Sequence, residues 1–569
     1  MKKSLLPRYT KGFHHIIFFS SLFSFQMGYA QSPQFEWGKK IGGTEWDQGN
    51  AIAVDNAGNV YTTGQFKQTV DFDPGAADLF LTSAGDQDIF VCKLDSQGNL
   101  VWAKKMGGTG EDIGKGIQVD PNGNVYVTGK FKDVVDFDPN AGIINLTSAG
   151  MSDVFVAKLD ESGNLLWVKQ FGGSEDDYSF AISLDAHNNV YTTGSFSSVS
   201  DFTSGNFLTT FGGHDIFINK LTTSGNYVWT KQFGGDSYDE GTSLFVSGGN
   251  VYATGFFQNT ADLDPGGNTQ NFTSPGLNIP DIFVSKIDTS GNFVWAKQIG
   301  STGNDYGYGI SVDLYGDVYL TGRFENTVDF DPNAGTYNLT AAGTFDFFVM
   351  KFTSSGNLAW AKQFGNNGME ISYGIMNDMV GNVYTTGYFD GIVDFDPGNG
   401  TFNLEFTQSE SDCFISQLSK DGDFVWAGII AGSKFTSGLA IAPDNSGSVY
   451  TTGWFGGQLD ADPSAGNFSL SGSGMRDVFI QKMSSSVGIL ENDALNSIML
   501  YPNPVSNTMT LQSTITLKEF KIVGMLGEVV QLGTINSNTL HLDLLKTGNY
   551  ILEVLDVNNQ IHHKHFVKN

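Results

Sequence analysis

The stretch GTGEDIGKGIQVDPNGNVYVTGKFKDVVDFDPNAGIINLTSAGMSDVFVAKLDESGNLLWVKQFGG, residues 108 to 173, holds one copy of the unit that builds most of this chain. Four β segments are predicted in it: Gly116 to Asp120, Val125 to Phe131, Asp153 to Asp160 and Leu165 to Phe171. Apolar and polar residues alternate in the first segment, and clusters of Asp, Asn, Pro and Gly mark turns between segments. No segment shows the 3.6-residue apolar period of an amphipathic helix. The unit is therefore predicted to be a four-stranded antiparallel sheet.

A tryptophan in the fourth segment recurs seven times, with successive separations of 65, 65, 62, 66, 65 and 66 residues. The seven positions are Trp37, Trp102, Trp167, Trp229, Trp295, Trp360 and Trp426. A fixed period of this length indicates a repeat architecture. Four-stranded units repeated seven times form either an open solenoid or a ring of blades.

The two ends of the repeat region favour the ring. The region opens with a lone fourth strand, Phe35 to Ile41, and closes with a third strand, Asp477 to Met483, that no tryptophan strand follows. Pairing these two strands completes the last unit and removes the exposed edges of an open array. We therefore expect an all-β protein, with a seven-bladed β-propeller of four-stranded blades over residues 31–484.

The repeated segments resemble bacterial β-propeller repeats, whose signature is a GNVYxTGxF strand and a DxFVxKLDxxGNxxW strand. The resemblance covers roughly residues 35 to 484 and implies the propeller fold. It implies no particular activity, because propellers host many functions. The first element occurs at Val60 to Phe66, Val125 to Phe131, Val190 to Phe196, Val251 to Phe257, Val318 to Phe324, Val383 to Phe389 and Val449 to Phe455.

The first thirty residues have the pattern of a secretory signal peptide. Four basic residues precede an apolar run from Ile16 to Phe25, and small residues lead up to a cleavage site after Ala30. The run is too short to predict a membrane span, and no later segment approaches twenty apolar residues. Removing residues 1–30 takes away four positive charges and no negative ones, so the formal charge changes from −29 to −33. So acidic a protein is not expected to bind nucleic acid or anionic membrane surfaces.

A linker is predicted at residues 485–496 and a small β-sandwich at residues 497–569. The latter resembles the C-terminal sorting domain of type IX secretion cargo, through Pro502, Asn503, Pro504, Gly548 and Tyr550. The resemblance implies passage through the periplasm, the type IX secretion machinery as a partner, and a secreted or surface-attached product. It further implies removal of this domain, with release or attachment to surface lipopolysaccharide, as in cargo of the Bacteroidetes lineage.

Paired aspartates in a DFDP loop recur between the second and third strands. Hard cations prefer several oxygen ligands on flexible loops, so calcium binding is one hypothesis. The alternative is that these aspartates cap turns by accepting backbone N–H groups. Their spacing does not match an EF-hand loop. The candidate ligands are Asp71, Asp73, Asp136, Asp138, Asp329, Asp331, Asp394 and Asp396, with similar pairs at Asp262, Asp264, Asp460 and Asp462, and inter-blade acids at Asp47, Asp112, Asp177, Asp239, Asp305 and Glu370.

One position of the second strand differs in every unit. A position that the fold leaves free is a candidate for ligand contact, and here its side chains suit a surface that binds glycan or protein. Neutral variation at a tolerant surface site explains the same variety. The ligand candidates are Gln65, Lys130, Phe256, Arg323, Tyr388 and Trp454, with Ser195 at the seventh position.

Two functions remain from the sequence. The first is a monomeric, non-catalytic binding scaffold for an extracellular glycan or protein, with no catalytic residues and no certain cofactor. The alternative is a carbohydrate-active hydrolase or lyase in the pore, which would use an Asp/Glu acid and base pair. The repeating acids favour the scaffold, because catalysis needs one asymmetric constellation.

Overall fold

A computed structural model describes residues 33–202, 205–406, 411–464, 466–484, 498–501, 505–513, 516–524, 529–535, 537–543, 545–546, 548–557 and 561–568. The predicted signal peptide, the predicted linker, and Pro502, Asn503 and Pro504 lie outside the described residues. Within these ranges the regular elements are all β-strands. No helix in the described part of the chain is long and apolar enough to cross a membrane.

The strands fall into seven similar groups, here called units one to seven, and a C-terminal group. The chain begins with β1 (Gln34–Ile41). Unit one has β2 (Gln48–Val54), β3 (Val60–Phe66), β4 (Thr69–Asp71), β5 (Phe80–Thr82), β6 (Asp88–Leu94) and β7 (Leu100–Gly108). Unit two has β8 (Ile113–Val119), β9 (Val125–Asp136), β10 (Asn145–Leu159) and β11 (Leu165–Gly173). Unit three has β12 (Tyr178–Leu184), β13 (Val190–Asp201), β14 (Phe207–Leu221) and β15 (Tyr227–Gly235).

Units four to six repeat the six-strand pattern of unit one, and unit seven has the first five strands of that pattern. Unit four has β16 (Glu240–Ser247), β17 (Asn250–Gln258), β18 (Thr260–Asp262), β19 (Asn271–Thr273), β20 (Pro280–Asp288) and β21 (Phe293–Ile299). Unit five has β22 (Tyr306–Val312), β23 (Val318–Phe324), β24 (Thr327–Asp329), β25 (Asn338–Thr340), β26 (Asp346–Phe352) and β27 (Leu358–Phe364). Unit six has β28 (Ile371–Asn377), β29 (Val383–Phe389), β30 (Ile392–Asp394), β31 (Asn403–Glu405), β32 (Asp412–Leu418) and β33 (Phe424–Gly432). Unit seven has β34 (Thr436–Pro443), β35 (Val449–Phe455), β36 (Gln458–Asp460), β37 (Ser469–Ser471) and β38 (Asp477–Ser484).

Each unit is built on four antiparallel strands in chain order, as in the sheet β22-β23-β26-β27 of unit five. The short hairpin β24–β25 carries the DFDP loop between the second and third strands. Units two and three absorb this hairpin into the long strands β9, β10, β13 and β14. The four-stranded antiparallel unit predicted from the sequence is therefore present.

Unit seven takes its fourth strand from the other end of the repeat region. β1 pairs antiparallel with β38, with Ile41 opposite Val478 and Lys39 opposite Ile480. The resulting sheet has the order β1-β38-β35-β34. The pairing that the sequence predicts between the first and last strands is thus observed.

The tight turns use glycine where an L side chain would be strained. Gly123 and Gly163 have φ angles of 80° and 78°, in the left-handed region. Asp160 Oδ1 accepts the backbone N–H groups of Ser162 and Asn164 at 2.9 and 2.8 Å. These contacts confirm the hairpins predicted from the Asp, Gly and Asn clusters.

The hydrophobic core lies between consecutive units. One cluster joins Tyr252 and Ile282 of unit four to Ile310 and Phe324 of unit five. Phe330, the phenylalanine of a DFDP loop, is fully buried against Phe324, with 5.2 Å between ring centroids. Burying such a ring contributes about 1.5–3 kcal/mol.

Six of the repeated tryptophans fasten one unit to the next. The indole N–H of Trp229 donates to the carbonyl of Thr289, in the last hairpin turn of the following unit, at 3.3 Å. The same bond is made by Trp37, Trp102, Trp167, Trp295 and Trp360. The Trp229 ring also meets Tyr191 edge-on at 6.0 Å. Most of these indoles are half-buried, so they close the rim of each junction.

The C-terminal group forms two antiparallel sheets. Its strands are β39 (Ile498–Tyr501), β40 (Thr508–Ser513), β41 (Leu517–Gly524), β42 (Val529–Thr534), β43 (Thr539–His541), β44 (Gly548–Asp556) and β45 (Ile561–Lys568). The sheet orders are β39-β40-β43 and β42-β41-β44-β45. Met509 and Leu540 of the first sheet share a core cluster with Ile522 and Leu552 of the second. Of the predicted sorting residues, Tyr550 belongs to this core and donates its hydroxyl to the Lys546 carbonyl at 3.0 Å, and Gly548 begins β44.

Replacing Trp229 with alanine removes one junction hydrogen bond and a half-buried ring. We expect Trp229→Ala to lower the free energy of unfolding by about 2–4 kcal/mol, measured by denaturant titration. Leu277→Ala is the control, because Leu277 is 83% exposed, and it should change stability by less than about 0.5 kcal/mol. Equal effects of the two substitutions would contradict the junction role of the indole.

Candidate functional site

The first strands of the seven units line a cavity of about 620 Å³. Each strand presents one variable side chain to it, at positions separated as the tryptophans are. These side chains are Asn50, Lys115, Phe180, Thr242, Tyr308, Tyr373 and Leu439. Two residues further on, every strand presents an aliphatic side chain: Ile52, Ile117, Ile182, Leu244, Ile310, Ile375 and Ile441. The cavity wall therefore has one layer that repeats and one that differs between units.

The variable second-strand residues lie beside this cavity. Tyr388 and Trp454 line it directly. Gln65 accepts a hydrogen bond from the lining residue Asn50 at 2.6 Å, and the Lys130 ammonium lies 5.2 Å from the Tyr178 ring centroid. Phe256 and Arg323 both contact Tyr306, as described below. The structure thus places two of the six predicted ligand residues, Tyr388 and Trp454, in the cavity wall and Gln65 against it, whereas Lys130, Phe256 and Arg323 are not among the lining residues. The role of all six in ligand binding stays a prediction.

Aromatic side chains follow one side of the cavity in an unbroken series of ring contacts. We call this series the aromatic arc: Tyr238, Phe256, Tyr306, Tyr308, Tyr373, Tyr388, Phe435 and Trp454. Successive ring centroids are separated by 5.8, 4.8, 6.0, 5.2, 6.2, 5.2 and 5.0 Å. The arc extends over units four to seven. Units one and two complete the wall with polar side chains, namely Gln48, Asn50, Lys115 and Gln118.

Two charged residues of the cavity wall have shifted proton affinities. Burial, and to a smaller extent the neighbouring Lys130 ammonium, lowers the pKa of Lys115 to about 8. Burial also raises the pKa of Glu240, against the opposing effects of the Tyr238 hydroxyl and the Lys115 charge. That hydroxyl donates to Glu240 Oε2 at 2.8 Å. Among the lining residues that the structure describes, Glu240 is the one that carries a carboxylate.

Both arginines near the cavity stack on aromatic rings. The Arg476 guanidinium lies 3.6 Å from the Trp454 ring centroid and 4.2 Å from that of Trp46. The Arg323 guanidinium lies 4.7 Å from Tyr306 and 4.3 Å from Phe345. Such stacking covers the faces of a guanidinium and leaves its N–H groups directed outward in the ring plane.

The DFDP aspartates cap their own loops. Asp71 Oδ1 accepts the N–H groups of Asp73 and Leu79 at 3.0 and 2.9 Å, and Asp73 Oδ1 accepts that of Gly75. The other predicted pairs make the corresponding bonds, as seen for Asp136, Asp138, Asp329, Asp331, Asp394 and Asp396. No group of three potential metal ligands occurs among the described residues. The contacts match the turn-capping alternative, and calcium binding stays a hypothesis without an assembled ligand set.

The inter-blade acids are buried at the junctions between units. Asp112 accepts the N–H of Gly108, from the preceding unit, at 2.7 Å and that of Lys132, from its own unit, at 3.0 Å. Burial is the largest influence on its pKa, which is raised to about 7, and the nearby Asp88 carboxylate adds to the rise. Asp47, Asp177 and Asp239 likewise have pKa values of about 7, and Asp305 and Glu370 of about 8. These acids fasten junctions and are not available at an open face.

Sequence reasoning missed several cavity residues, notably Lys115, Glu240, Tyr308, Tyr373 and Arg476. A signal for them existed. The comparison of equivalent positions that selected Tyr388 and Trp454 on the second strand selects Lys115, Tyr308 and Tyr373 when applied to the first strand. Arg476 and Glu240 lie at the ends of strands, where the repeat pattern is less regular.

The repeated four-stranded units around one cavity define a β-propeller repeat protein. Residues 36–65, 101–130, 166–198 and 294–323 match the family model described as "Beta-propeller repeat". Residues 499–568 match the model described as "Secretion system C-terminal sorting domain". The chain therefore carries β-propeller repeats followed by a type IX secretion sorting domain.

Two curated proteins are similar in sequence. An uncharacterized WD repeat-containing protein, L264 of Acanthamoeba polyphaga mimivirus, is 25% identical over 498 residues, which cover 74% of this chain and 36% of that protein. The regulatory protein FlaEY of Caulobacter vibrioides is 27% identical over 171 residues, which cover 29% of this chain and 18% of that protein. The chain thus spans little more than a third of the first relative's length and under a fifth of the second's.

Solved structures are similar only at the level of fold. The WD40 β-propeller domain of Doa1 gives a TM-score of 0.37 at 8% identity, covering 79% of this chain and 96% of that chain. PorZ, described as a surface component of the type IX secretion system of Porphyromonas gingivalis, gives 0.16 at 12% identity, covering 94% and 100%. Neither likeness carries a functional argument.

The junction acids make stability depend on pH. Unfolded carboxyls titrate near pH 4, whereas these titrate near 7 to 8 in the folded chain. Their contribution is therefore fully present below about pH 4 and is lost as the pH rises through 7 to 8, because the folded chain holds the extra protons in between. We expect denaturant titrations to give a free energy of unfolding that falls steadily from pH 5 to pH 8.5. A constant or rising value over this range would contradict the burial of these acids.

Proposed function

We propose that the repeats form a closed seven-bladed propeller, followed by a small β-sandwich, and that the propeller is a non-catalytic module that binds an extracellular glycan. The sorting domain indicates export by the type IX system to the cell surface or the extracellular space. The partners proposed for the chain are therefore the secretion machinery and a glycan outside the cell.

Contacts across the first and last units support a closed ring. The Trp37 indole, in the strand that completes unit seven, donates to the Ser96 carbonyl of unit one at 3.2 Å. The Asp47 N–H donates to the Arg476 carbonyl at 3.1 Å, as Asp239 does to His214 at an internal junction. The junction between the two ends thus has the same two contacts as the internal junction between units three and four.

The aromatic arc is the observation that carries the glycan proposal. The C–H bonds on one face of a sugar ring carry partial positive charge, which suits the negative face of an aromatic ring. Five of the eight connected rings line the cavity, namely Tyr308, Tyr373, Tyr388, Phe435 and Trp454. The opposite wall supplies Asn50, Gln48 and Lys115, which can hydrogen-bond hydroxyl groups. Binding sites combine an apolar wall with few directional polar groups in this way.

Substituting one ring of the arc tests the glycan proposal. We expect Tyr373→Ala to weaken glycan binding by about tenfold or more, because a stacking platform is lost. The measurement is a glycan-array screen of the full chain followed by calorimetric titration of the glycans retained. Tyr315→Ala is the matched control, since Tyr315 is 85% exposed in a turn, and it should bind like the parent protein. Retention of no glycan, or equal binding by both variants, would refute the proposal, and capture of a protein alone would favour a protein ligand.

One observation supports the alternative of a pore-sited hydrolase or lyase. Glu240 is a carboxylate without counterparts at equivalent positions, and its raised pKa is typical of a general acid. Under our proposal the full chain should release no products from any glycan that it binds, measured by chromatography of long incubations. Turnover that disappears in Glu240→Gln but persists in the surface variant Glu161→Gln would establish the enzyme instead.

A further inference from the structure

We infer that the ligand of the central cavity is an anionic glycan, whose carboxylate or sulfate groups are held by Arg323 and Arg476. The inference rests on the proposed function, because it names the class of ligand for the same cavity. Four observations carry it: where arginine occurs in the chain, how the two guanidiniums are packed, which of their N–H groups lack acceptors, and how the charges are distributed.

Arginine is almost absent from this chain. The sequence contains three arginines among its 31 basic residues. Arg8 lies in the predicted signal peptide, Arg476 lines the cavity, and Arg323 stacks on Tyr306, which contacts the lining residue Tyr308. All the other basic residues are lysines. Lysine supplies positive charge equally well, so placing arginine only here indicates a requirement for its planar group with several N–H donors.

The two arginines are packed in the same way from different positions of the repeat. Arg323 occupies the variable second-strand position that Trp454 occupies two units later. Arg476 directly precedes a third strand, as Phe345 does in unit five. In unit five the arginine lies on the second strand and the aromatic ring, Phe345, just before the third strand. In unit seven the aromatic ring, Trp454, lies on the second strand and the arginine just before the third. Both units therefore stack a guanidinium on an aromatic ring, although the two residues have exchanged positions. Sequence repetition alone does not produce such an exchange.

Neither guanidinium forms an ion pair with the residues that the structure describes. No carboxylate oxygen lies within 4.0 Å of either one among the ion pairs formed by described residues. Arg323 Nε is buried and makes no hydrogen bond. Burial also lowers the pKa of Arg476, which shows that its charge is partly removed from water. A partly desolvated guanidinium without a counter-ion is costly, and an anionic ligand bound to the outer N–H groups of the guanidinium would offset that cost.

The charge around the cavity is opposite to that of the protein. The chain has a formal charge of −29, yet the charged lining residues are Lys115, Arg476 and the single acid Glu240. Glu240 is engaged by Tyr238, and the Lys130 ammonium is neutralised by Glu111 at 2.5 Å. The Lys115 charge is opposed by that of Glu240, so the positive charge in excess is that of the two arginines. A positive region within an acidic surface raises the local concentration of anions there.

The position of the arginines fits an extended ligand. Tyr306 lies under Arg323, Trp454 lies under Arg476, and Tyr308, Tyr373, Tyr388 and Phe435 connect these two rings. Sugar rings stacked on this part of the arc would place their acidic substituents near a guanidinium at either end. Guanidinium N–H groups bind carboxylate or sulfate oxygens in pairs, which gives the contact both strength and direction.

The test compares ligands that differ in charge alone. The probes are an oligogalacturonate, its methyl ester, a neutral galactan oligosaccharide and a sulfated galactan oligosaccharide, each titrated calorimetrically into the full chain. We expect the oligogalacturonate or the sulfated oligosaccharide to bind at least about tenfold more tightly than its uncharged counterpart. Preference for one of the two identifies carboxylate or sulfate as the group recognised.

Variants locate the effect. Arg323→Met and Arg476→Met should each weaken binding of the charged ligand by about tenfold or more and leave the methyl ester unaffected. Arg323→Lys and Arg476→Lys keep the charge, and we expect them to recover only part of the affinity because the paired N–H contact is lost. Lys420→Met, at an exposed turn outside the cavity, is the control. Thermal midpoints within a few degrees of the parent protein exclude misfolding as the cause.

The outcomes separate this inference from the proposed function. Equal binding of charged and uncharged glycans, with no effect of the arginine variants, would overturn the anionic ligand and leave glycan binding standing. Binding of none of the four probes would overturn the inference, and the broader glycan array described above would then decide whether glycan binding itself survives. A charge preference that persists in both arginine variants would also overturn it, because another group would be responsible.

Discussion

The antiparallel ladder between β1 and β38 is the interaction on which the rest of the repeat region depends. Every other unit is continuous in sequence, whereas unit seven is completed by a strand more than 400 residues away. The entropic cost of closing a loop grows only with the logarithm of its length, so closing this long loop costs little more than closing a shorter one. With the ladder in place, the first strands of all seven units face one cavity. Without it, the region would present two unpaired edges and the wall formed by units seven and one would be missing.

Much of the fold could be predicted from the sequence, because a strand or turn that is ambiguous in one copy of the repeat is clear in the others. The tryptophan period, the Asp and Gly turns and the missing fourth strand of unit seven were each sufficient to place an element. The DFDP loops were harder. Their aspartates have the composition of a cation site, and only the positions of the Asp73 and Leu79 N–H groups show that Asp71 is already engaged. Burial of Asp112 could not be predicted either, because it depends on two backbone donors from different units.

Part of the candidate site could be predicted for a related reason. Variation at the second strand identified Tyr388 and Trp454, since a repeat reveals where structure does not dictate the residue. It did not reveal that Arg323 and Arg476 lie in equivalent surroundings, because they come from non-equivalent positions of the repeat. Contacts between different positions in different units are properties of the folded chain. Lys115 and Glu240 show the same limit, since their shifted pKa values come from the cavity and not from neighbours in sequence.

The indole bond that joins six of the seven units to the next one has a consequence for how such a protein can change. Donor and acceptor lie on opposite sides of a unit, so each junction is a head-to-tail interface of one kind, which closes into a ring when the rotation per unit allows it. Gain or loss of an entire unit by recombination therefore leaves the chemistry of every junction intact. What changes is the circumference of the ring, and with it the width of the cavity and the number of side chains around it. Duplication of a unit is thus a route to a new ligand size that requires no new interface.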